Sequence, residues 1–352
     1  MSLKDKRIVV GMSGGIDSSM SLVLLRALGY EPIGLTLKLP TWQNNQSSES
    51  AIKSAKTICQ KAGVPHFVLD VQKEFKKEVV DYFIKELETG RTPNPCVICN
   101  PRLKFKKLFE FASRKGIELV ATGHYAKTRL NKKTGKYELL KAKDKKKDQS
   151  YYLSFLTHEY LKNIIFPLGN YTKEKVYEMA GERGFKNLLE RKQSQDFCFL
   201  GNNRLSEFLE KELGKKPGKI VDEKGIILGE HQGVWFYTIG QRKGINLSGG
   251  PYFVKELDKK KNLVVATKNK KELFQKEIFL SPFNFISKET PKKEIKIMAK
   301  TRYRQKSSEA ILFPPENKKL KIIFSKPQLA VTPGQFCIFY DKDACLGAGI
   351  IN

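Results

Sequence analysis

Residues 7–18, RIVVGMSGGIDS, constrain the fold of this chain more than any other stretch. The apolar run from Arg7 to Gly11 has strand character, small residues follow from Ser13 to Gly15, and helix-type spacing of apolar residues begins near Asp17. A strand, a glycine turn and a helix start, in that order, place backbone N–H groups around an anion. The loop lacks the Walker lysine, so it favours holding a pyrophosphate leaving group over activating a γ-phosphate.

This loop resembles the SGGxDS loop of the N-type ATP pyrophosphatases, which activate a carbonyl oxygen as its adenylate and release pyrophosphate. The alternative interpretation is an ordinary glycine turn before a helix. The strand, the loop and the helix agree in order and length with a nucleotide loop, which favours the first interpretation.

Strand-like and helix-like segments alternate over the first part of the chain. The predicted strands are Arg7–Gly11, Pro32–Leu37, His66–Val71 and Glu118–Gly123. The first predicted helix follows Asp17. The others cover about Glu49–Ala62, Lys73–Leu87 and Lys104–Lys115. Such alternation predicts an α/β fold with a doubly wound parallel sheet. The resemblance of the SGGIDS loop to that of the N-type ATP pyrophosphatases implies an adenine nucleotide alpha hydrolase-like sheet. Because nucleotides bind at the carboxyl ends of such strands, we expect the SGGIDS loop and Thr122-Gly123-His124 to share one crevice.

The rest of the chain changes character twice. Residues 150–202 are predicted to be helical, with loops at Phe166–Asn170 and Arg191–Asp196. A small glycine-rich unit follows, and strand-like alternation with Pro and Gly turns after Leu280 predicts an antiparallel barrel. We expect a catalytic domain of the ATP-pyrophosphatase type over 1–203, a small central domain over 204–275 and a C-terminal antiparallel β-barrel domain over 276–352.

The charge of the chain is strongly positive. Lys and Arg number 65 against 37 Asp and Glu, a formal net charge of +28. This excess indicates either a polyanionic partner or a lysine-rich proteome. Residues 131–147, NKKTGKYELLKAKDKKK, hold eight of the lysines. They form either a patch that binds phosphates by counterion release or a solvated hairpin.

Composition also predicts the compartment. No apolar run reaches the roughly 18 residues that a membrane span needs, and MSLKDKRIVV leads directly into a strand, so neither a span nor a signal peptide is predicted. Six cysteines in 352 residues do not form a disulfide scaffold. We expect a cytoplasmic protein with reduced thiols and no membrane partner.

Cys96 and Cys99 form a CxxC pair within GRTPNPCVICNPRLKF. Such a pair indicates zinc, redox chemistry or catalysis. The chain offers no second CxxC pair and no spaced His pair, which disfavours structural zinc. Pro93 and Pro95 make the approach to the pair irregular, which disfavours a thioredoxin-like arrangement.

Cys198 lies in KQSQDFCFL, between apolar neighbours. Taken alone, this context is typical of a buried core thiol. Cys59 falls on the apolar face of a predicted helix, and Cys337 and Cys345 fall in barrel strands, so all three are predicted to lie in the core.

Several motifs in order along the chain resemble one family, the tRNA-specific 2-thiouridylases of the MnmA type. The resemblance covers nearly the whole chain and rests on GMSGGIDSS, GRTPNPCVICNPRLKF, ATGHYAK, KKKDQSYYL, KQSQDFCFLG, GEHQGVWFYTIGQRKG, TRYRQ and VTPGQFCIFYDKDACLGAGII. Many adenylating enzymes share SGGxDS. Its combination with PNPCVxCN, SQDxCF and YTIGQRKG is much more specific.

The resemblance implies that ATP adenylates the C2 oxygen of the wobble uridine in a tRNA anticodon and that a cysteine persulfide supplies the sulfur of 2-thiouridine, with AMP and pyrophosphate as co-products. Cys198 would carry the persulfide. Cys99 would be the nucleophile that helps to release sulfur, leaving a Cys99–Cys198 disulfide to be reduced. Some family members carry Asp at the position of Cys96, so the general base stays open here. Cys96 is a rival to Cys99, although Asn100 and the basic segment after it align with Cys99.

The resemblance also implies binding residues. ATP binding falls to the loop and to two residues near the adenosine, which together are Gly11, Met12, Ser13, Gly14, Gly15, Ile16, Asp17, Ser18, Leu37 and Gly123. The target base would contact Asn94, Pro95 and Cys96. The tRNA would contact His124, Lys147, Asp148, Gln149, Arg302, Tyr303 and Gln335. Mg²⁺ is expected to accompany ATP, with Asp17 as the plausible carboxylate.

Simpler interpretations stay open for three of these residues. His124 is alternatively a capping histidine, Asp148 a helix cap, and Arg302 an exposed strand residue.

The implied partners are a tRNA, with the Lys, Glu and Gln acceptors suggested, and a persulfide donor, which is either a cysteine desulfurase or a sulfur-relay protein. Two rival functions remain. One is an adenylating synthetase that uses ammonia and a small acid, and the other is a non-catalytic RNA-binding protein with a degenerate nucleotide loop.

Overall fold

The computed structural model describes residues 6–42, 46–185, 188–189, 197–200 and 204–352. Its strands, in chain order, are β1 (Arg7–Gly11), β2 (Glu31–Lys38), β3 (His66–Asp70), β4 (Leu119–Thr122), β5 (Ala126–Asn131), β6 (Lys136–Lys141), β7 (Ile164–Ile165), β8 (Gly218–Val221), β9 (Ile227–His231), β10 (Phe253–Asp258), β11 (Leu263–Thr267), β12 (Phe274–Phe285), β13 (Ile295–Lys300), β14 (Ser308–Leu312), β15 (Leu320–Leu329), β16 (Phe336–Asp341) and β17 (Ala344–Ile351).

The helices are mostly short. They are α1 (Ile16–Ala27), α2 (Gln46–Lys61), α3 (Gln72–Phe75), α4 (Asp81–Glu88), α5 (Pro95–Cys99), α6 (Lys106–Arg114), α7 (Ser150–Leu153), α8 (His158–Lys162), α9 (Lys173–Glu182) and α10 (Leu205–Leu213). Two π-helical segments, Lys76–Val80 and Asn100–Phe105, join α3 to α4 and α5 to α6. No helix within the described ranges is both long and apolar enough to span a bilayer.

The first sheet is parallel and runs in the order β3-β2-β1-β4-β7. Gly11 at the end of β1 pairs with Thr122 at the end of β4, so the loops after both strands leave the same edge. Ile8 and Val10 pack into one cluster with α1, α2 and α9, whereas Val9 packs into another with α6. Helices therefore cover both faces, which confirms the doubly wound α/β fold.

The predicted strands of this sheet are confirmed, β1 at its predicted bounds and the others within one or two residues of theirs. The helix predicted to begin at Lys104 begins earlier, so that prediction was wrong at its start. Asn94 caps the helix by accepting a hydrogen bond from the Cys96 N–H at 3.2 Å, and Pro95 occupies the first turn. Proline suits this position because the first N–H groups of a helix have no partner within it.

The lysine-rich segment forms a hairpin, β5–β6, which was one of its two interpretations. Its docking on the barrel was not predicted, because β6 pairs with β17 through Leu139–Cys345 and Leu140–Ala344. Strand β7 lies within a region predicted to be helical. The predicted loop at Phe166–Asn170 carries no helix or strand, and the predicted loop at Arg191–Asp196 lies outside the described residues.

The C-terminal barrel is confirmed. Strands β12-β15-β14-β13-β16-β17 are neighbours in this order, and a β12–β17 pairing closes the ring. Phe324 and Phe339 are fully buried in its core, and Cys337 and Cys345 are buried as predicted, as is Cys59 in the first unit. A separate sheet, β10-β11-β8-β9, forms the central unit.

The hairpin contact with the barrel gives a stability prediction. Leu139 is 0% exposed, so Leu139→Ala should lower the free energy of unfolding by about 2–5 kcal/mol through lost burial and a cavity. Leu130 on the partner strand is 45% exposed, and Leu130→Ala should change stability by no more than about 0.5 kcal/mol. Urea unfolding followed by circular dichroism measures both. Equal effects of the two substitutions would contradict a docked hairpin.

Candidate functional site

The glycine loop joins β1 to α1. Met12 and Ile16 are buried and anchor its two ends in the core. Gly14 has a φ of +73°, and a Cβ there would collide with the backbone of Ala51, so only glycine fits. Gly15 precedes the first turn of α1 without a side-chain cap. The first amides of the helix therefore remain available to an anion, which fits the phosphates of a nucleotide.

The loop after β4 lies against this helix start. A Cβ on Gly123 would come within 2.6 Å of the Ser18 nitrogen and 2.7 Å of the Asp17 carbonyl carbon. The two loops therefore lie against each other, and the nucleotide crevice between them stays a prediction. Leu37, at the end of the neighbouring strand β2, is half-buried.

Asp17 is engaged by protein groups. Lys173 Nζ donates to its Oδ1 at 2.6 Å and to its Oδ2 at 2.8 Å, and the Tyr125 hydroxyl donates to Oδ1 at 2.8 Å. A direct bond from Asp17 to Mg²⁺ would compete with this ion pair. Within the described residues, no group of three or more His, Cys, Asp and Glu side chains is arranged to hold a metal ion.

Cys96 and Cys99 lie on α5, one turn apart. Asn100, which is buried, donates from Nδ2 to the carbonyl of Cys96 at 3.1 Å and to that of Tyr152 at 2.9 Å. These bonds fix the helix end against α7. Cys96 is half-buried, whereas Cys99 is 7% exposed.

Cys198 is exposed, so the alternative of a core thiol, which its local sequence taken alone favours, is wrong. Its neighbours are not exposed. Phe199 and Leu200 belong to the same buried cluster as Cys99 and Leu103. The backbone N–H of Trp42 also donates to the Phe199 carbonyl at 2.9 Å. This packing brings the segment that carries Cys198 next to the CxxC helix, although residues 190–196 before it lie outside the described residues.

The three thiols lie close enough together for each to affect the pKa of another. Burial raises the pKa of Cys99 to about 12 and that of Cys96 to about 11, and desolvation also raises the pKa of the accessible Cys198. Lys104, on the segment that follows α5, opposes burial at all three by favouring the thiolate. The charge of Lys104 thus lowers the pKa of all three thiols, against the effect of burial.

His124 lies between the glycine loop and the segment that follows the CxxC helix. Its ring stacks on Phe105 at 6.0 Å and meets Phe166 edge-on, and its Nδ1 is 2.8 Å from Thr122 Oγ1. Burial, and then the charge of Lys104, hold the pKa of His124 well below its ordinary value. The imidazole is therefore neutral at physiological pH.

The segment 147–149 is buried or half-buried and is held by hydrogen bonds. Asp148 is 7% exposed and accepts hydrogen bonds from the Ala142 N–H and the Ser150 hydroxyl. It also accepts from the Ser150 N–H at the start of α7, as the capping alternative predicts. Gln149 Oε1 accepts from the Tyr125 N–H at 2.8 Å. Lys147 beside them is half-buried.

The barrel residues assigned to tRNA also hold the protein together. Arg302 lies in a turn rather than on an exposed strand, and its Nη2 donates to the carbonyls of Ile239 and Ala330. Tyr303 packs on Tyr152 at 4.5 Å between ring centroids. Gln335 donates to the Thr92 carbonyl at 2.8 Å, close to the CxxC motif. Their roles toward tRNA stay predictions.

The sequence interpretation missed three residues of this site, namely Lys104, Lys173 and Tyr125. Lys104 follows the CxxC pair within PRLKF, so its proximity was a readable signal. Lys173 stands 156 residues from Asp17, and nothing in its local sequence indicates the ion pair.

Three family models match the chain. A tRNA methyl transferase HUP domain matches residues 6–202, a tRNA methyl transferase PRC-barrel domain matches 206–268, and an aminomethyltransferase beta-barrel domain matches 275–351. Among solved structures, the U34-tRNA thiolase NcsA from Methanococcus maripaludis is 21% identical over 59% of this chain and 67% of that chain, with a TM-score of 0.35. A likeness this weak carries no functional conclusion.

Curated relatives match over their full length. The "tRNA-specific 2-thiouridylase MnmA 2" of Thermoanaerobacter sp. (strain X514) is 41% identical over 99% of this chain and 98% of its own. The "tRNA-specific 2-thiouridylase MnmA" of Clostridioides difficile (strain 630) is 40% identical over the same shares. At this identity and coverage, the chain belongs to the tRNA-specific 2-thiouridylase family.

Proposed function

We propose that this protein catalyses the ATP-dependent 2-thiolation of the wobble uridine in tRNA. The uridine C2 oxygen attacks the α-phosphate of ATP, pyrophosphate leaves, and sulfur from a persulfide on Cys198 replaces the adenylated oxygen. The products are 2-thiouridine, AMP and pyrophosphate. Mg²⁺ enters with ATP as its counterion.

The observation that carries this proposal is the meeting of three separate segments. Phe199 and Leu200 pack against Cys99 and Leu103, which brings the Cys198 segment to the CxxC helix. His124 stacks on Phe105, which belongs to the same segment as Leu103, and Gly123 next to His124 lies against the start of α1. A row of contacts therefore runs from the phosphate loop to the thiols, as an enzyme that both adenylates and thiolates needs.

The electrons balance within the two cysteines. The Cys99 thiolate attacks the inner sulfur of the Cys198 persulfide, and hydrosulfide leaves as the Cys99–Cys198 disulfide forms. Hydrosulfide attacks C2 of the adenylated uridine, and the C2–O bond breaks to release AMP. An external thiol then reduces the disulfide.

The tRNA is expected to bind along the lysine-rich hairpin and the barrel. The side chains of Lys132, Lys133, Lys143, Lys145 and Lys146 are exposed on or beside β5–β6. Phosphate contacts from such lysines are independent of sequence. The Asn94-Pro95-Cys96 corner would meet the extruded base, and His124, Lys147–Gln149, Arg302, Tyr303 and Gln335 would line the path to it. We propose the Lys, Glu and Gln acceptors as substrates and a desulfurase or relay protein as the persulfide donor.

Cysteine substitutions test the assignment of roles. Cys99→Ala and Cys198→Ala should each abolish 2-thiouridine formation, because each removes one sulfur of the disulfide step. Cys96→Ala is the matched control on the same helix and should retain thiolation. The measurement is nucleoside mass spectrometry after incubation with unmodified tRNA, ATP, Mg²⁺ and a desulfurase-based sulfur source.

Each failure has a distinct meaning. Loss of thiolation in Cys96→Ala but not in Cys99→Ala would move the nucleophile to Cys96. Absence of thiolation by the wild type, with pyrophosphate released on a small acid, would favour an adenylating synthetase. Binding of tRNA without ATP turnover would favour a non-catalytic RNA-binding protein.

The raised thiol pKa values predict the pH dependence of Cys198. Desolvation raises the pKa of Cys198 above its ordinary value, so the thiolate fraction and the rate of alkylation by iodoacetamide should rise about tenfold per pH unit between pH 7 and 8.5. Lys104→Gln removes a charge that favours the thiolate, and it should slow alkylation at pH 8 by up to about tenfold, the equivalent of one pKa unit. Peptide mass spectrometry measures the rates.

Lys104→Arg retains the positive charge and serves as the matched control, with alkylation expected to stay close to wild type. A rate for Lys104→Gln equal to that of wild type would show that Lys104 does not act on Cys198.

A further inference from the structure

Lys173 carries a buried ammonium behind the phosphate loop. The residue is 4% exposed, whereas the side chain of its partner Asp17 is 35% exposed. Lysine is almost never this buried unless it is paired, because desolvation of the charge costs several kcal/mol. Asp17 thus faces the crevice and Lys173 stands behind it.

The surroundings of Lys173 hold its side chain in place. Its backbone N–H donates to Asp144 Oδ2 at 3.0 Å, at the start of α9. Its Nζ lies 5.0 Å from the ring centroid of Tyr177 and 5.8 Å from that of Tyr125. Tyr125 also donates its hydroxyl to Asp17. Tyr125 and Lys173, which lie far apart in sequence, therefore both bind the carboxylate of Asp17.

The charge at this point poses a physical problem. Asp17 lies in the first turn of α1, beside the amides that are placed to hold an anion. An unpaired carboxylate there would repel a polyphosphate, and two unit charges about 4 Å apart interact by several kcal/mol near a protein surface. The loop itself contains no lysine or arginine that could cancel this charge.

We propose that Lys173 is a positioning residue for the pyrophosphate site, which cancels the charge of Asp17 and fixes its carboxylate so that the loop accepts a polyanion. The inference rests on the proposed function, because it takes the loop to hold the pyrophosphate of ATP. Unlike the Walker lysine, which reaches the phosphates directly from its own loop, Lys173 acts through Asp17 and from a helix 156 residues away.

Binding of inorganic pyrophosphate to the full-length protein tests this, by isothermal titration calorimetry with EDTA present. Lys173→Met should weaken binding about 10- to 100-fold, because it leaves the Asp17 carboxylate uncancelled. The double variant Asp17→Asn/Lys173→Met should recover affinity to near wild type, since both charges are gone. Asp17→Asn alone should bind at least as tightly as wild type, because Lys173 then adds a net positive charge.

Lys175→Met is the matched control, since Lys175 lies on the same helix and pairs with Glu178 at the surface, and it should leave affinity unchanged. Wild-type affinity in Lys173→Met, no recovery in the double variant, or weaker binding by Asp17→Asn would each overturn the inference. If circular dichroism shows that Lys173→Met fails to fold, the pyrophosphate affinities of Asp17→Asn and of the double variant still test the inference. A wild type that makes no 2-thiouridine and binds no pyrophosphate would instead reject the proposed function.

Discussion

One hydrophobic cluster joins the parallel sheet to the C-terminal barrel, and the geometry of the site depends on it. Val9 and Leu35 of the sheet and Phe336 and Tyr340 of the barrel belong to the same buried cluster. Burial of apolar surface is the dominant favourable term in folding, so this shared core fixes the barrel against the sheet. Because of that fixed docking, the carbonyls of Pro333 and Ile351 can hold the chain just before the CxxC helix, at Thr92 and Arg91.

The cysteines and the glycine loop have one electrostatic feature in common. Each has a lysine beside a side chain that carries, or can gain, a negative charge. Lys104 favours the thiolate of Cys99, whose pKa burial raises, and Lys173 pairs with the carboxylate of Asp17. Both cations act within a partly desolvated crevice, where charges interact more strongly than in water. The neutral His124 between them adds no third charge.

The local sequence pattern was sufficient to predict the structure wherever one residue type determines the backbone conformation. The ends of β1 follow from an apolar run that stops at glycine, and Gly14 is required by its positive φ. Local pattern was less informative at the CxxC pair, where the prolines indicated only an irregular approach. Pro95 begins α5 there, and Asn94 caps the helix. Local pattern allowed the β5–β6 hairpin but not its docking on the barrel, because the lysines conceal the buried Leu139.

The sequence by itself determined the doubly wound sheet, the barrel, the glycine loop and the family, because periodicity and contiguous motifs are local properties of a chain. Only the tertiary structure decided which distant groups meet. Cys198 lies beside the CxxC helix because its aromatic neighbours pack there, and Lys173 reaches Asp17 because α9 packs on α1. Such pairings arise from the burial of whole elements, and the sequence around either partner carries no trace of the other.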